Sequence, residues 1–305
     1  MSRGSVLFID TVHPKLQEEL QLQGFTCVDG YTATKEQLMQ DWNNHIGVVI
    51  RSRFKIDQEF LQAAKGLKFI ARAGAGMENI DTAAADTFGV ACLNAPEGNR
   101  NAGAEQALGM LLSMCNHLIR ADRQVRDGLW LREENRGTEI DGKTIGIIGF
   151  GRIGQCLAAY ALGVGMKVVA IERKARIQPI TLKIAGQTLE VPIKVVANLF
   201  EVIDQLDYIS IHVPKQADGT AVIGTAEFKC MKKGVRLVNT ARGGVIEENA
   251  LLEALENGTV AAAALDVYEN EPNPLKALIA HPRIACTPHI GAATLEAQDR
   301  IGEEL

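Results

Sequence analysis

The chain has 305 residues, of which 47% are hydrophobic and 23% charged, and a formal net charge of −5. That length is more than one core usually fills, so two domains are expected, and the acidic balance argues against a nucleic-acid partner. No apolar run is long enough to cross a bilayer, and the run 6–9 reaches Asp10 too soon for a signal-peptide core. Six cysteines (Cys27, Cys92, Cys115, Cys156, Cys230, Cys286) are scattered with no C-x-x-C pair. They read as free thiols in a reducing, cytoplasmic compartment, not as a metal site or a disulfide frame.

From the start to about residue 95 the chain repeats a strand–helix rhythm. Apolar runs at 6–9, 25–28, 47–50, 68–71 and 90–93 read as strands, with helix-like segments at 16–22, 35–41, 58–64 and 82–87. Such alternation implies a parallel sheet covered by helices. Asn94, Ala95 and Pro96 break the pattern as a hinge would. One long helix is expected over 102–127, and its glycine and alanine content suits close packing against another element or a second subunit.

The stretch 143–172 organises the rest of the chain. A buried-strand run, 144–148, leads into Gly149, Gly151 and Gly154 at G-x-G-x-x-G spacing, then into a helical segment and a second apolar run that ends at Glu172. Each part suits a pyrophosphate. Gly149 allows the turn, Gly151 lets the backbone approach the phosphates, Gly154 lets helix and strand pack closely, and the helix N-terminus offers N–H groups. Glu172 stands where an acid can accept from a ribose 2′-hydroxyl. Residues 173–200 alternate apolar and polar around Ala-Gly-Gln, which predicts a small hairpin over 181–191 inserted into a crossover near the adenine end. Strands at 208–213, 235–239 and 261–265, a short run at 283–286 and a helical tail from 292 complete the pattern.

Open parallel sheets bind ligands outside the carboxyl ends of their strands. That rule selects His212 and Pro214, Arg242, Asp266 and Glu271, and His289, each at or after a strand end. An arginine can grip a carboxylate with two prongs, and a histidine can exchange a proton with an alcohol as hydride leaves its carbon. A carboxylate beside that histidine favours the imidazolium and fixes which nitrogen faces the substrate. Arg242, His289 and Glu271 fit these three parts, which together with a nicotinamide amount to hydride transfer at a 2-hydroxy acid carbon. No pair of His or Cys has ligand spacing on one helix, so no metal is expected.

The stretches GRIG (151–154), NTARGGVI (239–246), ALDVYENEP (264–272) and TPHIGAAT (287–294) resemble the D-isomer-specific 2-hydroxyacid dehydrogenases over nearly the whole chain. The resemblance implies that Arg242, Glu271 and His289 are the catalytic set. It also implies an α/β fold of two Rossmann-like or flavodoxin-like parallel-sheet domains with a cleft between them. Residues 1–94 plus 289–305 would form a discontinuous substrate-binding domain, and 95–288 an NAD-binding domain through which two copies dimerise. NAD would lie against Gly149, Gly151, Arg152, Ile153, Gly154, Glu172, His212, Val213, Pro214, Thr240, Ala241 and Asp266. Glu172 replaces the usual aspartate and is followed by Arg173 and Lys174, which leaves NAD preferred over NADP.

Within the family the chain is most similar to members that act on 3-phospho-D-glycerate. GVVIRSRFKI (47–56) resembles a segment whose arginines approach a phosphate, here Arg51 and Arg53 around Ser52. RAGAGMENID (72–81) resembles a loop whose N–H groups, around Ala75 and Gly76, hold a carboxylate. The expected reaction is NAD-dependent oxidation of 3-phospho-D-glycerate to 3-phosphohydroxypyruvate, opening L-serine synthesis. A short form without the C-terminal regulatory domain of longer members, and without serine feedback by that route, is also expected. The alternatives are another D-2-hydroxyacid dehydrogenase, such as a glyoxylate or hydroxypyruvate reductase, and an NADH-sensing binding protein of the same fold.

Overall fold

The computed structural model describes residues 3–305, so the first two residues of the expected 1–94 segment lie outside it. The chain divides into two compact units: residues up to Arg100 together with Ala292–Leu305, and Asn101–Gly291.

The first unit holds a five-stranded parallel sheet. Its strands are β1 (Ser5–Phe8), β2 (Thr26–Asp29), β3 (Gly47–Ile50), β4 (Phe69–Arg72) and β5 (Ala91–Asn94), in the order β2-β1-β3-β4-β5. Between them run α1 (Pro14–Leu22), α2 (Lys35–Asp41), α3 (Gln58–Ala63) and α4 (Thr82–Thr87). Short polar residues start these helices. Thr34 and Gln37 form a capping box on α2, while Asp57 and Asp81 accept the first free N–H groups of α3 and α4. The central strand β3 is buried along its whole length. Val48 and Ile50 pack in one cluster with Trp42 and Phe60, whose ring centroids lie 3.8 Å apart edge-on, and Val49 packs in another with Phe8 and Leu16.

In the second unit the expected long helix is two, α5 (Arg100–Cys115) and α6 (Leu118–Arg126), with His117 between them at φ 52°. The interruption has a physical cause. Thr138 N–H donates to the Cys115 carbonyl at 3.0 Å, taking the acceptor that a continuous helix would use.

The sheet of this unit comprises β6 (Thr144–Ile148), β7 (Lys167–Ile171), β8 (Arg176–Ile184), β9 (Gln187–Val196), β10 (Tyr208–Ile211), β11 (Val235–Asn239), β12 (Val260–Leu265) and β13 (Ile284–Cys286). Helices α7 (Arg152–Gly163), α8 (Thr225–Cys230), α9 (Glu248–Glu256) and α10 (Lys276–Ile279) join them. The order is β13-β12-β11-β10-β6-β7-β9-β8, and every pair is parallel except β8 with β9. Strand order reverses between β6 and β10, which places a ligand crevice at the carboxyl ends of those strands.

The hairpin differs from the small insertion expected over 181–191. It spans β8 and β9 entirely, closing through Ala185 and Gly186 with φ of 50° and 81°. Its second strand runs on beside β7, pairing Val169 with Lys194 and Ile171 with Val196, so the hairpin is itself the crossover. Ile180, Leu182, Ile193 and Val195 turn inward with Leu157 and Ala161 of α7, covering apolar surface that a crossover helix would cover. Pro179 stands directly opposite Pro192. Two residues without N–H cannot form a hydrogen-bonded pair, so both point their missing donors away from each other.

The last helix, α11 (Leu295–Glu304), belongs to the first unit and buries Ile301 beside Val6 and Phe8. Its Glu304 carboxylate accepts the N–H groups of Glu97 and Gly98, and Arg300 Nε donates to the Gly98 carbonyl at 3.1 Å. A Cβ at Gly98 would lie 2.5 Å from Ile301, so the segment leaving the unit can approach α11 only because this residue is glycine.

Candidate active site

The three glycines of the 149–154 loop have the separate duties that their spacing suggests. Gly149 has φ 90°, and a Cβ there would stand 2.5 Å from the His212 carbonyl oxygen. A Cβ on Gly154 would lie 2.2 Å from the Gly149 carbonyl oxygen, whereas Gly151 faces open space. The residues therefore fit a pyrophosphate: the turn is tight, helix α7 begins at once, and the middle glycine leaves room. Glu172 is less free than the sequence suggested. Its Oε1 accepts Phe150 N–H at 2.8 Å and its Oε2 accepts Arg173 N–H at 3.3 Å, so the acid is tied to the glycine loop.

Across the switch point, His212 ends β10 with Nε2 at 2.8 Å from Ser210 Oγ. Burial holds its imidazole far below the ordinary range, at about 4. The unfolded chain would bind a proton near 6.5, so stability is lost as pH falls from above 6.5 towards 4. At pH 5 the loss attributable to this group is about 2 kcal/mol. Substituting His212 by Asn should therefore shrink the difference in melting temperature between pH 7 and pH 5. Calorimetry at the two values checks this.

Arg242 follows β11 on a turn held by Asn239, a buried residue that sequence reading passed over. Asn239 Oδ1 accepts Ala241 N–H at 3.1 Å, and its Nδ2 donates to the Arg242 carbonyl at 3.0 Å. Arg242 Nη1 donates to the Ala241 carbonyl at 2.6 Å. The next residue presses on the neighbouring loop, because a Cβ at Gly243 would lie 1.7 Å from the Tyr268 carbonyl oxygen.

That loop carries Glu271, and β13 leads to His289. The two side chains meet, with His289 Nδ1 at 2.7 Å from Glu271 Oε2, while Glu271 Oε1 accepts Tyr268 N–H at 3.0 Å. Both remain open to solvent, at 48% and 36% exposure. They border a pocket of about 360 Å³ whose other walls include Tyr268, Pro272, Ile279 and Pro288. With Nδ1 committed to the carboxylate, Nε2 is the nitrogen left to exchange a proton.

Asp266 follows β12 directly. It is fully buried, and its carboxylate accepts from Thr287 Oγ1 (2.5 Å), Ile290 N (2.9 Å) and Gly291 N (2.9 Å). It faces the turn of His289, not open space. Among the described residues no three His, Cys, Asp or Glu come together as metal ligands would, and no helix is long and apolar enough to cross a membrane.

The residues expected to hold substrate belong to the first unit. Arg51 and Arg53 follow β3, with both N–H groups turned to Asp10 Oδ2. Their side chains differ. The Arg53 guanidinium donates to the carbonyls of Ile9 and Gly30 (3.0 Å each) and Ala33 (2.7 Å), lying over the Phe54 ring. It braces the strand ends through these three carbonyls. The Arg51 guanidinium has no protein partner among the described residues. Ser52 lies between the two arginines at the exposed surface. Ala75 and Gly76 lie in the loop after β4, where Asn94 Nδ2 donates to the Ala75 carbonyl at 2.6 Å.

Comparison with known proteins fits this geometry. The model of the D-isomer specific 2-hydroxyacid dehydrogenase NAD binding domain matches residues 108–291. The chain belongs to that family. It is 37% identical over 300 residues to D-3-phosphoglycerate dehydrogenase of Sus scrofa, covering 98% of this chain and 55% of the relative. It is 39% identical over 274 residues to hydroxypyruvate reductase of Thermotoga maritima, covering 89% of this chain and 86% of the relative. A crystal structure of a glyoxylate reductase from Paecilomyes thermophila superposes with a TM-score of 0.86 at 31% identity, over 99% of this chain and 92% of the other. The chain thus spans about half the length of the phosphoglycerate dehydrogenases it matches. The residues that match the NAD binding domain lie in the unit that carries the glycine loop.

Proposed function

We propose that this chain transfers hydride between NAD(H) and the 2-carbon of a D-2-hydroxy or 2-oxo acid. Its preferred substrate in this reading is 3-phospho-D-glycerate, oxidised to 3-phosphohydroxypyruvate on the way to L-serine. The contact that carries the proposal is His289 Nδ1 to Glu271 Oε2 at 2.7 Å, on turns beside a glycine loop open at Gly151. In oxidation His289 Nε2 takes the hydroxyl proton, and in reduction it returns one. Glu271 balances the charge on the ring and holds its tautomer. Arg242 binds the carboxylate and polarises the 2-oxo group. The bound nicotinamide supplies or accepts the hydride.

The curated phosphoglycerate dehydrogenases and the unpaired Arg51 support the phosphorylated substrate. A hydroxypyruvate or glyoxylate reductase is the second reading. It is favoured by the relative that the chain covers over most of its length, and by the engagement of Arg53 with three carbonyls. NADH consumption with 3-phosphohydroxypyruvate, hydroxypyruvate, glyoxylate and pyruvate decides between them. Arg51→Ala should lower kcat/KM for the phosphorylated acid by roughly 10- to 100-fold, about 1.5–3 kcal/mol for a charge-assisted contact, and leave the unphosphorylated acids nearly unaffected. Arg53→Ala should lower the melting temperature and all activities together.

The proposal includes a homodimer built through the second unit. Its α6 is exposed at Leu118 and Val125, and Trp130 beyond it is 78% exposed, a face suited to a second copy. All six cysteines are unpaired, in keeping with the cytoplasmic placement that is also proposed.

A further inference from the structure

The dyad and the glycine loop lie at the carboxyl ends of the strands of the second unit. At the opposite, amino ends of β6, β10 and β11 stands a cavity of about 60 Å³ that no step of the proposed reaction uses. Tyr208, 1% exposed, and the Arg236 side chain line it from within. The register of β10 and β11 sets Arg236 directly beside Tyr208, with the guanidinium carbon 5.8 Å from the ring centroid. Packing does not demand an arginine here, since Val235, Leu237 and Val238 along the same strand are apolar and buried. Arg236 Nη2 donates to Thr138 Oγ1 at 3.1 Å, but its Nε is buried and meets no acceptor among the described residues. A buried N–H that the protein leaves unanswered calls for an acceptor from outside the chain.

The mouth of the cavity is basic. Lys143, Lys232 and Lys233 border it with exposed side chains, against the single carboxylate of Asp207. Lys232 Nζ lies 2.7 Å from Asp207 Oδ1, and Asp207 Oδ2 accepts Thr144 N–H at 2.9 Å. Burial raises the Asp207 carboxyl, but these two contacts and Lys143 outweigh it and hold the group below its ordinary range. Asp207 is therefore ionised and neutralises Lys232. Lys143, Lys233 and Arg236 have no carboxylate within ion-pair distance among the described residues. So much uncompensated positive charge around so small a space selects a compact anion. The N–H groups of Gly234 and Val235 are engaged by the carbonyls of Thr259 and Lys232, so the donors left for it are side chains.

We propose that this cavity binds a tetrahedral oxyanion of the phosphate class, free or at the end of a small phosphomonoester. Arg236 Nε and the Thr138 hydroxyl are the inner donors, and Lys143 and Lys233 close on the anion from the mouth. Thr138 Oγ1 accepts from Arg236, which leaves its own proton free to donate. The site acts on the scaffold and not on the chemistry. Thr138 N–H also holds the Cys115 carbonyl at the break between α5 and α6, so an anion on Thr138 and Arg236 fastens that break to the start of β11. A ligand that binds the folded chain alone raises its melting temperature with concentration.

The test titrates inorganic phosphate, at constant pH and ionic strength, into the full chain saturated with NADH and carrying Arg51→Ala. NADH fills the pyrophosphate position, and the substitution removes the arginine proposed for the substrate phosphate, so neither contributes heat. Titration calorimetry should show saturable binding of about one phosphate per chain, with a melting temperature that rises with phosphate and not with chloride. Lys143→Met and Lys233→Met, at exposed positions, should each weaken binding roughly 3- to 10-fold, and Arg236→Gln should abolish it. With Arg51 intact, the two lysine variants should keep keto-acid turnover within about twofold of the parent, because the cavity lies at the far ends of the strands. Glycerol phosphate in place of inorganic phosphate tells the sources apart: tighter binding assigns the site to the phosphoryl end of an organic molecule, weaker binding to the free ion.

The proposal is overturned if no saturable binding is found, in which case a buried water answers Nε. It is equally overturned if phosphate raises the melting temperature alike in the parent and all three variants, the mark of general salt exclusion. Affinity unchanged by both lysine substitutions places the phosphate elsewhere and overturns it as well. If Arg236→Gln does not fold, the lysine variants decide.

Discussion

His289→Ala should abolish all but a small fraction of turnover while leaving NADH binding in place. A positioned acid/base contributes roughly 10²- to 10⁴-fold, and the loss should fall on kcat for every 2-oxo acid accepted. The geometry explains why so little would remain. His289 reaches its partner only because its turn holds it in a left-handed conformation with Nδ1 on Glu271, and no other histidine is placed at these strand ends except His212. That residue cannot stand in, because burial keeps its imidazole unprotonated down to about pH 4, so it has no proton to donate at neutral pH. NADH binding should persist, since the glycine loop lies at the ends of other strands. Stopped-flow or steady-state absorbance at saturating NADH, with fluorescence titration of the cofactor, measures both quantities. Turnover within about tenfold of the parent would remove His289 from the mechanism.

The second large effect is expected at Gly154. A Cβ there would meet the Gly149 carbonyl oxygen at 2.2 Å, a contact with backbone that no rotamer can relieve. Helix α7 must then move away from β6, carrying its N-terminal N–H groups off the phosphate position. Gly154→Ala should weaken NADH binding by more than tenfold. It should also destabilise the fold by about 1–3 kcal/mol, because overpacking strains a core that includes Leu157 and Ala158. Gly151→Ala is the informative contrast. Nothing stands within 4 Å of its Cβ, so it should spare the melting temperature and affect binding alone. Calorimetry and cofactor titration on both variants separate the structural glycine from the ligand-facing one.

Much of the fold and of the site was legible in the residues. Strand positions in both units lie within a residue or two of the apolar runs, because buried parallel strands are continuous in hydrophobicity and are bounded by turn residues. The pairing of Glu271 with His289 was foreseeable from strand-end position together with family motifs. What the chain did not disclose has a common cause: it depends on which backbone groups a polar side chain meets. Arg53 and Arg51 are equivalent in the string R-S-R, yet one is spent on the carbonyls of Ile9, Gly30 and Ala33. The three donors that meet the Asp266 carboxylate come from a turn more than twenty residues away, and the string does not reveal them. The helix expected over 102–127 has no proline or glycine where it breaks at His117. The break comes from a distant partner, Thr138, competing for a carbonyl, and no local signal records it.

The facing prolines of the hairpin bear on how the larger sheet ends. β8 is the outermost strand of its sheet, nine residues long, with Ile177 and Ile184 largely exposed. Such an edge would normally recruit a strand from another molecule and seed fibrous stacking. Pro179 leaves a gap in the outward row of donors near the middle of that edge, so an incoming strand would lose a rung and its carbonyl would go unanswered. Growth of the sheet stops with the chain's own last strand, and copies of the molecule can meet through helices without polymerising along this border.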